Sequence, residues 1–243
     1  LSFTNLNKCT VKKNLGIKND RLFALTRNIN FEKSLLIEKF PLKRKLNNFL
    51  TLKNSPELNK YKFNYIENKL ILYRKNEELI SIFTKDPEFS NLICKKLIDL
   101  ESSLTAPIFL LKNDEFPFFD TSHSNNISNT ISLINLNSIK NLEINIGKMI
   151  EFERFRSNLY MDGLDAWEER NWLNKIIKIN EVSFKVTNHI SRCSATNLKP
   201  NTNKNTINLP LTLKKHYDHT DMGVYLTPLN DGEINIGDQI NFR

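Results

Sequence analysis

Five short apolar runs, each closed by Asn, Lys or Pro, fill the first eighty-odd residues and leave little room there for anything but β-structure. They are Arg21–Thr26, Phe49–Lys53, Lys62–Ile66, Lys69–Tyr73 and Glu78–Phe83. Aliphatic and aromatic runs of this length, divided by turn formers, predict a small barrel or sandwich. A helix is expected next. Asp86 can cap it, Pro87 suits the first helical position and Glu88 suits the positive dipole end. Phe89, Leu92, Ile93, Leu97 and Leu100 then recur at helical spacing, with Cys94 beside this core-facing stripe as a packing residue.

Ala106–Leu111 is a further strand candidate, and the Ser-, Asn- and Asp-rich stretch from Asp114 to Thr130 is a loop. Leu133, Leu136, Ile139 and Leu142 predict a second helix. Strands return at Met149–Phe152, Asn158–Met161, Lys175–Ile179 and Val182–Val186, with a hairpin turn at Asn180-Glu181. Segment 197–208 is a loop, and the chain closes on a strand–turn–strand, Gly223–Thr227, Asn230–Gly232 and Ile234–Ile236. The expected fold is mostly β, of the α+β class, with a few helices. Residues 1–85 are expected to form a β-barrel-like domain, 86–118 a connecting helix and strand, and 119–243 a second domain.

A chain of 243 residues can bury a good core. Its net charge of +8 comes from lysines scattered along the whole length. No aromatic-basic recognition motif accompanies them, so no nucleic-acid partner is expected. The three cysteines, Cys9, Cys94 and Cys193, show no metal-ligand spacing, and an odd, sparse set suits a reducing compartment. With no run of about eighteen apolar residues and no signal-peptide pattern, the expectation is a cytoplasmic protein without a membrane span.

Chemistry concentrates near Cys193, in Asn188-His-Ile-Ser-Arg-Cys-Ser-Ala-Thr196. A thiolate beside positive charge binds soft metals or attacks electrophiles, and Cys193 follows Arg192 and His189. Packing as a small buried hydrophobe is the other reading of the same residue. Arg154 and Arg156 stand two apart, so on a strand they would share a face with Asn158 and could reach one anion together. Solvated arginines on an edge strand are the alternative. His216 and His219 lie three apart and share a face only if their segment is helical, and no further ligand at characteristic spacing joins them.

Taken together, these segments resemble the MOSC domain, in the form that carries an extra N-terminal β-barrel domain. The mitochondrial amidoxime-reducing component and its bacterial relatives belong to that group. In it, the Cys of an Arg-Cys pair before a Thr-containing strand coordinates molybdenum. Arg192, Cys193 and Thr196 occupy that pattern, while Ile190 stands where the family often has a second Cys. Gly16-Ile-Lys-Asn-Asp-Arg21 is similar to the family's Gly-x-x-Gly-Asp-Arg, with Asn19 replacing the second Gly, and implies that Arg21 helps hold the cofactor's phosphate. Arg154-Phe-Arg156-Ser-Asn158 is similar to Arg-Phe-Arg-Pro-Asn. Asp120 and a helix start from Ser132 to Asn135 resemble the loop that contacts the pterin. Trp167-Glu-Glu169-x-x-Trp172 also matches, as a packing motif. The family's Lys-Ser pair would fall just before Leu1, so a missing start is expected, with Ser2 or Lys8 as substitutes.

The resemblance implies a molybdenum cofactor of the molybdopterin type. It also implies an oxidoreductase acting on an N-hydroxylated small-molecule substrate. Electrons would come from a separate electron-donor protein, because the chain has no ferredoxin cysteines and no flavin or nicotinamide fingerprint. A carrier of sulfur or cofactor, without its own turnover, is the alternative. No pyridoxal-phosphate lysine motif is present, so a complete sulfurase is not expected.

Overall fold

A computed structural model describes residues 4–119 and 130–242. In chain order the strands are β1 (Lys8–Lys12), β2 (Gly16–Ile17), β3 (Phe23–Leu25), β4 (Tyr61–Ile66), β5 (Lys69–Arg74), β6 (Glu77–Phe83) and β7 (Leu110–Lys112). They continue with β8 (Ile131–Asn135), β9 (Leu159–Met161), β10 (Ile176–Ile179), β11 (Val182–Ser191), β12 (Asp221–Pro228), β13 (Gly232–Asn235) and β14 (Ile240–Phe242). The α-helices are α1 (Phe31–Lys39), α2 (Phe89–Leu100), α3 (Leu136–Ile146) and α4 (Leu209–Tyr217). The fold is mostly β, of the α+β class.

The chain divides into two units. The first gathers Leu1–Thr4, Asn19–Ser128 and Asn201–Asn203; the second gathers Asn5–Lys18, Asn129–Pro200 and Lys204–Arg243. Residues 5–18, assigned from sequence to the first domain, therefore cluster with the second unit, and the first unit's contacts run on past residue 85.

In the first unit, β4, β5 and β6 form an antiparallel meander. Its two connections are two-residue turns, Glu67-Asn68 and Lys75-Asn76, with positive φ at all four positions. That is the type I′ geometry whose twist suits a hairpin. β3 pairs with β7. The run Phe49–Lys53 is not a strand, since only Phe49 bridges, to Thr26. α2 buries Phe89, Ile93, Cys94 and Leu97, but it starts after Pro87, with Glu88 at the cap position. Asp86 instead accepts a hydrogen bond from the Glu88 amide at 2.9 Å. α1 was not foreseen. Asn30 caps it by accepting from the Lys33 amide at 3.0 Å.

The second unit is built on a six-stranded sheet, ordered β14-β10-β11-β12-β8-β9, curled into half a barrel. Every pairing in it is antiparallel except β8 with β9. One face packs Ile131, Leu133, Trp172, Phe184, Val224 and Leu226 into a core that also takes Val11 and Ile234. The other face sets Ile134 and Met222 against Ile139 and Leu142 of α3 and Leu209 and Leu213 of α4. Because both faces are covered, all of Ile131–Asn135 is buried. Ser132 and Leu133 thus lie on a strand, where a helix start was expected, and the helix begins only at Leu136. Asn135 caps it, accepting from the Asn137 amide at 3.0 Å.

The terminal strand–turn–strand is not a hairpin. β13 leaves β12 and pairs with β1, bringing Ile234 opposite Cys9, in a separate sheet ordered β13-β1-β2. Gly223 is required in β12 on two counts. Its φ is +82°, and a Cβ there would lie 2.3 Å from the Leu133 carbonyl oxygen.

Candidate functional site

β11 leaves the core at its C-terminal end. Val182, Phe184 and Val186 are buried, and the pairing with β12 then shifts register between Val186 and Asn188 and again between His189 and Ser191. Bulges of this kind bend a strand and re-aim its side chains. Beyond the strand, the Arg192 amide donates to the Thr220 carbonyl at 2.9 Å, and the Ser191 and Thr220 hydroxyls are 2.7 Å apart. Cys193 follows as a free, exposed thiol. It stands at the cap position of a 3₁₀ turn, Ser194–Asn197. Its carbonyl accepts from the Thr196 amide at 3.0 Å and from the Thr196 hydroxyl at 2.8 Å. Thr196 therefore lies in this turn, not in a following strand as expected, and it closes the loop that displays the thiol. Ile190 is buried.

Arg192 points the opposite way. Its Nε donates to the Met222 carbonyl at 2.9 Å and its Nη1 to the Phe155 carbonyl at 3.0 Å. Nη2 also donates to Met222. The guanidinium carbon lies 5.5 Å from the Phe155 ring centre. Burial lowers its pKa to about 10, so the group stays charged at neutral pH.

The Arg154–Asn158 motif is not a strand. Phe152–Phe155 forms a 3₁₀ turn, and Arg156 follows in the left-handed region at φ 52°. The two arginines therefore do not share a strand face. Arg154 is buried and fully engaged: Nε donates to Glu151 Oε2 at 2.6 Å, Nη1 to the Asn197 carbonyl at 2.9 Å and Nη2 to the Thr206 hydroxyl at 2.7 Å. Burial is the largest single effect on Glu151 and works against its charge, but the Arg154 hydrogen bond, a backbone hydrogen bond and the charges of Arg154 and Lys199 together lower that carboxyl's pKa. Arg156 is half-buried at the end of the turn.

Asn158 and Ser132 serve each other. Asn158 Oδ1 accepts from the Ser132 amide at 3.0 Å and its hydroxyl at 2.9 Å, and the Asn158 amide donates to Ser132 Oγ at 2.9 Å. Asn135, wholly buried, also donates to the Asp165 carbonyl at 2.7 Å. Ser138 Oγ lies 2.8 Å from Oε1 of buried Glu169 and accepts from the Trp167 amide at 2.8 Å. Burial raises the Glu169 pKa, partly offset by the Ser138 hydrogen bond. The Trp167–Trp172 motif is thus a packing element, with Trp172 in the core.

His216 lies in the last turn of α4, whereas His219 lies beyond the helix cap at Asp218, so no helix face unites them. His219 Nδ1 accepts from the Asp221 amide at 3.1 Å. Among the described residues, no group of three His, Cys, Asp or Glu side chains could hold a metal ion. Arg21 belongs to the first unit, is ion-paired with Asp20 and lies 5.0 Å from the Phe119 ring centre. Lys8 on β1 pairs with Glu233 at 3.2 Å. Asp120 and Ser2 lie outside the described residues. Sequence reasoning missed Glu151, Asn197, Thr206 and Met222, the partners of the two arginines. Two of these act through backbone carbonyls, which leave no mark in side-chain identity.

Residues 120–241 match the MOSC domain, and the chain belongs to that family. Among solved structures, YiiM from Geobacillus stearothermophilus is similar at 18% identity and a TM-score of 0.38, over 46% of this chain and 53% of that one. The chain thus spans about half the length of that protein. No curated protein matches it. No helix of the described residues is long and apolar enough to cross a membrane.

Proposed function

We propose that this protein binds a molybdenum cofactor through Cys193 and reduces an N-hydroxylated small molecule with electrons from a separate donor protein. The observation that carries the reading is the Cys193 turn itself: an exposed thiol at the end of a core strand, with a buried guanidinium directly before it. A single soft thiolate suits a metal whose remaining donors come from the cofactor. When bound, the cofactor would supply the redox chemistry, which the chain's own side chains lack.

The chain's part is geometric and electrostatic. Cys193 would hold the metal end. Arg192, held by the Met222 and Phe155 carbonyls, places a fixed positive charge next to the thiol in the chain. The fit is weaker at the phosphate end. Arg154 and Arg192 commit their donors to protein acceptors, and Ser132, Asn135 and Asn158 bond within the fold.

The test is molybdenum and pterin content of the purified full chain, with and without Cys193→Ser. About one metal per chain, lost in the variant together with reductase activity, supports the proposal. A Cys193 persulfide without metal would support the carrier reading instead. Metal retained at full occupancy in Cys193→Ser would overturn both.

A further inference from the structure

In the first unit, the segment from α1 to Leu46 turns apolar side chains outward. Phe31, Leu35, Leu36, Phe40, Leu42 and Leu46 are all exposed, Phe31 at 61% and Leu42 at 78%. Within α1 itself only Ser34 and Ile37 are buried, so the helix sits on a narrow inner face. The exposure is not fraying. Arg44 is buried within this segment and donates to the carbonyls of Ile37 at 2.9 Å, Glu38 at 3.0 Å, Phe116 at 2.8 Å and Pro117 at 2.9 Å. It also lies 4.0 Å from the Phe118 ring centre, which fixes the stretch in place.

The charges interleaved with these side chains are almost all positive. Lys33, Lys39, Lys43 and Lys45 are exposed, and Glu32 is the one fully exposed carboxylate between Phe31 and Leu46. Glu38 is turned inward, accepting from the Lys112 amide at 2.7 Å. Protein interfaces concentrate apolar residues at a centre and charge at a rim. Here exposed lysines and exposed Phe/Leu side chains share one short segment, and a surface of anionic lipid offers both apolar depth and negative charge to such a mixture. Lysine stems can cover apolar surface while the ammonium groups reach outward.

We infer that this face binds the surface of an anionic lipid membrane. Phe31, Leu35, Leu36, Phe40, Leu42 and Leu46 would enter the head-group boundary, and the four lysines would meet lipid phosphates. The inference is independent of what Cys193 binds.

Sedimentation of the full chain with vesicles tests it, using phosphatidylcholine alone or mixed with phosphatidylglycerol. Binding is expected to the mixed vesicles and to weaken in high salt. L35Q/L42Q, at exposed positions, should keep the wild-type melting profile and lose about tenfold or more in affinity. K39E/K43E should lose roughly tenfold or more. I144Q/M149Q, exposed in the second unit, should bind as wild type. No binding to mixed vesicles, or binding that survives L35Q/L42Q, would overturn the inference. So would self-association of the chain, removed by L35Q/L42Q, in place of vesicle binding.

Discussion

Arg154 and Arg192 brace the Cys193 turn from its two ends in opposite directions. Arg192, just before the thiol, reaches the Phe155 carbonyl at the end of the Phe152–Phe155 turn. Arg154, inside that turn, reaches the Asn197 carbonyl at the far end of the Cys193 turn. Two short turns, each weak alone, hold one another through partly buried charge-assisted hydrogen bonds.

Removing either brace should cost stability. Arg192→Ala leaves the Met222 and Phe155 carbonyls without that donor, and a loss of about 2–4 kcal/mol is expected by urea denaturation. Arg192→Lys should recover only part, because one ammonium cannot span both carbonyls. In a double-mutant cycle with Arg154→Ala, the combined loss should fall short of the sum. Full additivity would show two independent contacts.

Thiol reactivity should separate the cysteines. Cys94 is buried, and burial pushes its thiol pKa up to about 12. Native protein treated with iodoacetamide should carry label on exposed Cys193 first, with Cys94 unmodified until denaturant is added. Peptide mass spectrometry reads the order directly.

Gly223→Ala should be among the most damaging single changes in the second unit. The new methyl would meet the Leu133 carbonyl at 2.3 Å, and the positive φ adds strain. Separation of β12 from β8 is expected, at roughly 2–4 kcal/mol. A thermal melt close to wild type would contradict the close approach.

Glu169 gives a pH signature. Its folded pKa is raised by burial, so the folded state holds the proton more tightly than the unfolded chain. The stability it contributes is full below the ordinary carboxyl pKa and is lost as pH rises through the raised value. Glu169→Gln cannot ionise and lacks this slope. The variant should therefore gain stability relative to wild type on going from acid to mildly alkaline pH, measured by denaturation at several pH values. A constant difference would mean that Glu169 titrates normally.

Much of the fold is legible in the chain, for identifiable reasons. The β4–β6 meander and the β10–β11 hairpin are short apolar runs separated by Asn-bearing turns, and local sequence decides them. α1 escaped because Leu35 and Leu36 face outward and form no inner stripe. β8 mimicked a helix start because burial on both faces removes alternation. At the candidate site, Cys193 is exposed, which its place after an alternating strand did not decide. The arginines were visible as residues but not as braces. Their partners include carbonyls distant in sequence, and the left-handed Arg156 breaks the period-two pattern that suggested a shared face.

The pairing of β1 with β13 bears on how the chain is made. Lys8 and Glu233, joined across this ladder, are 225 residues apart in sequence. As the ribosome delivers the chain, β1 emerges long before β13 and must wait, its β13-facing edge unpaired, until the residues between them have been synthesised. Meanwhile the long segment Asn19–Ser128 has its contact partners at hand and can settle first. Closing so wide a loop late makes assembly of the second unit slow and leaves β1 open to capture by chaperones or neighbouring chains.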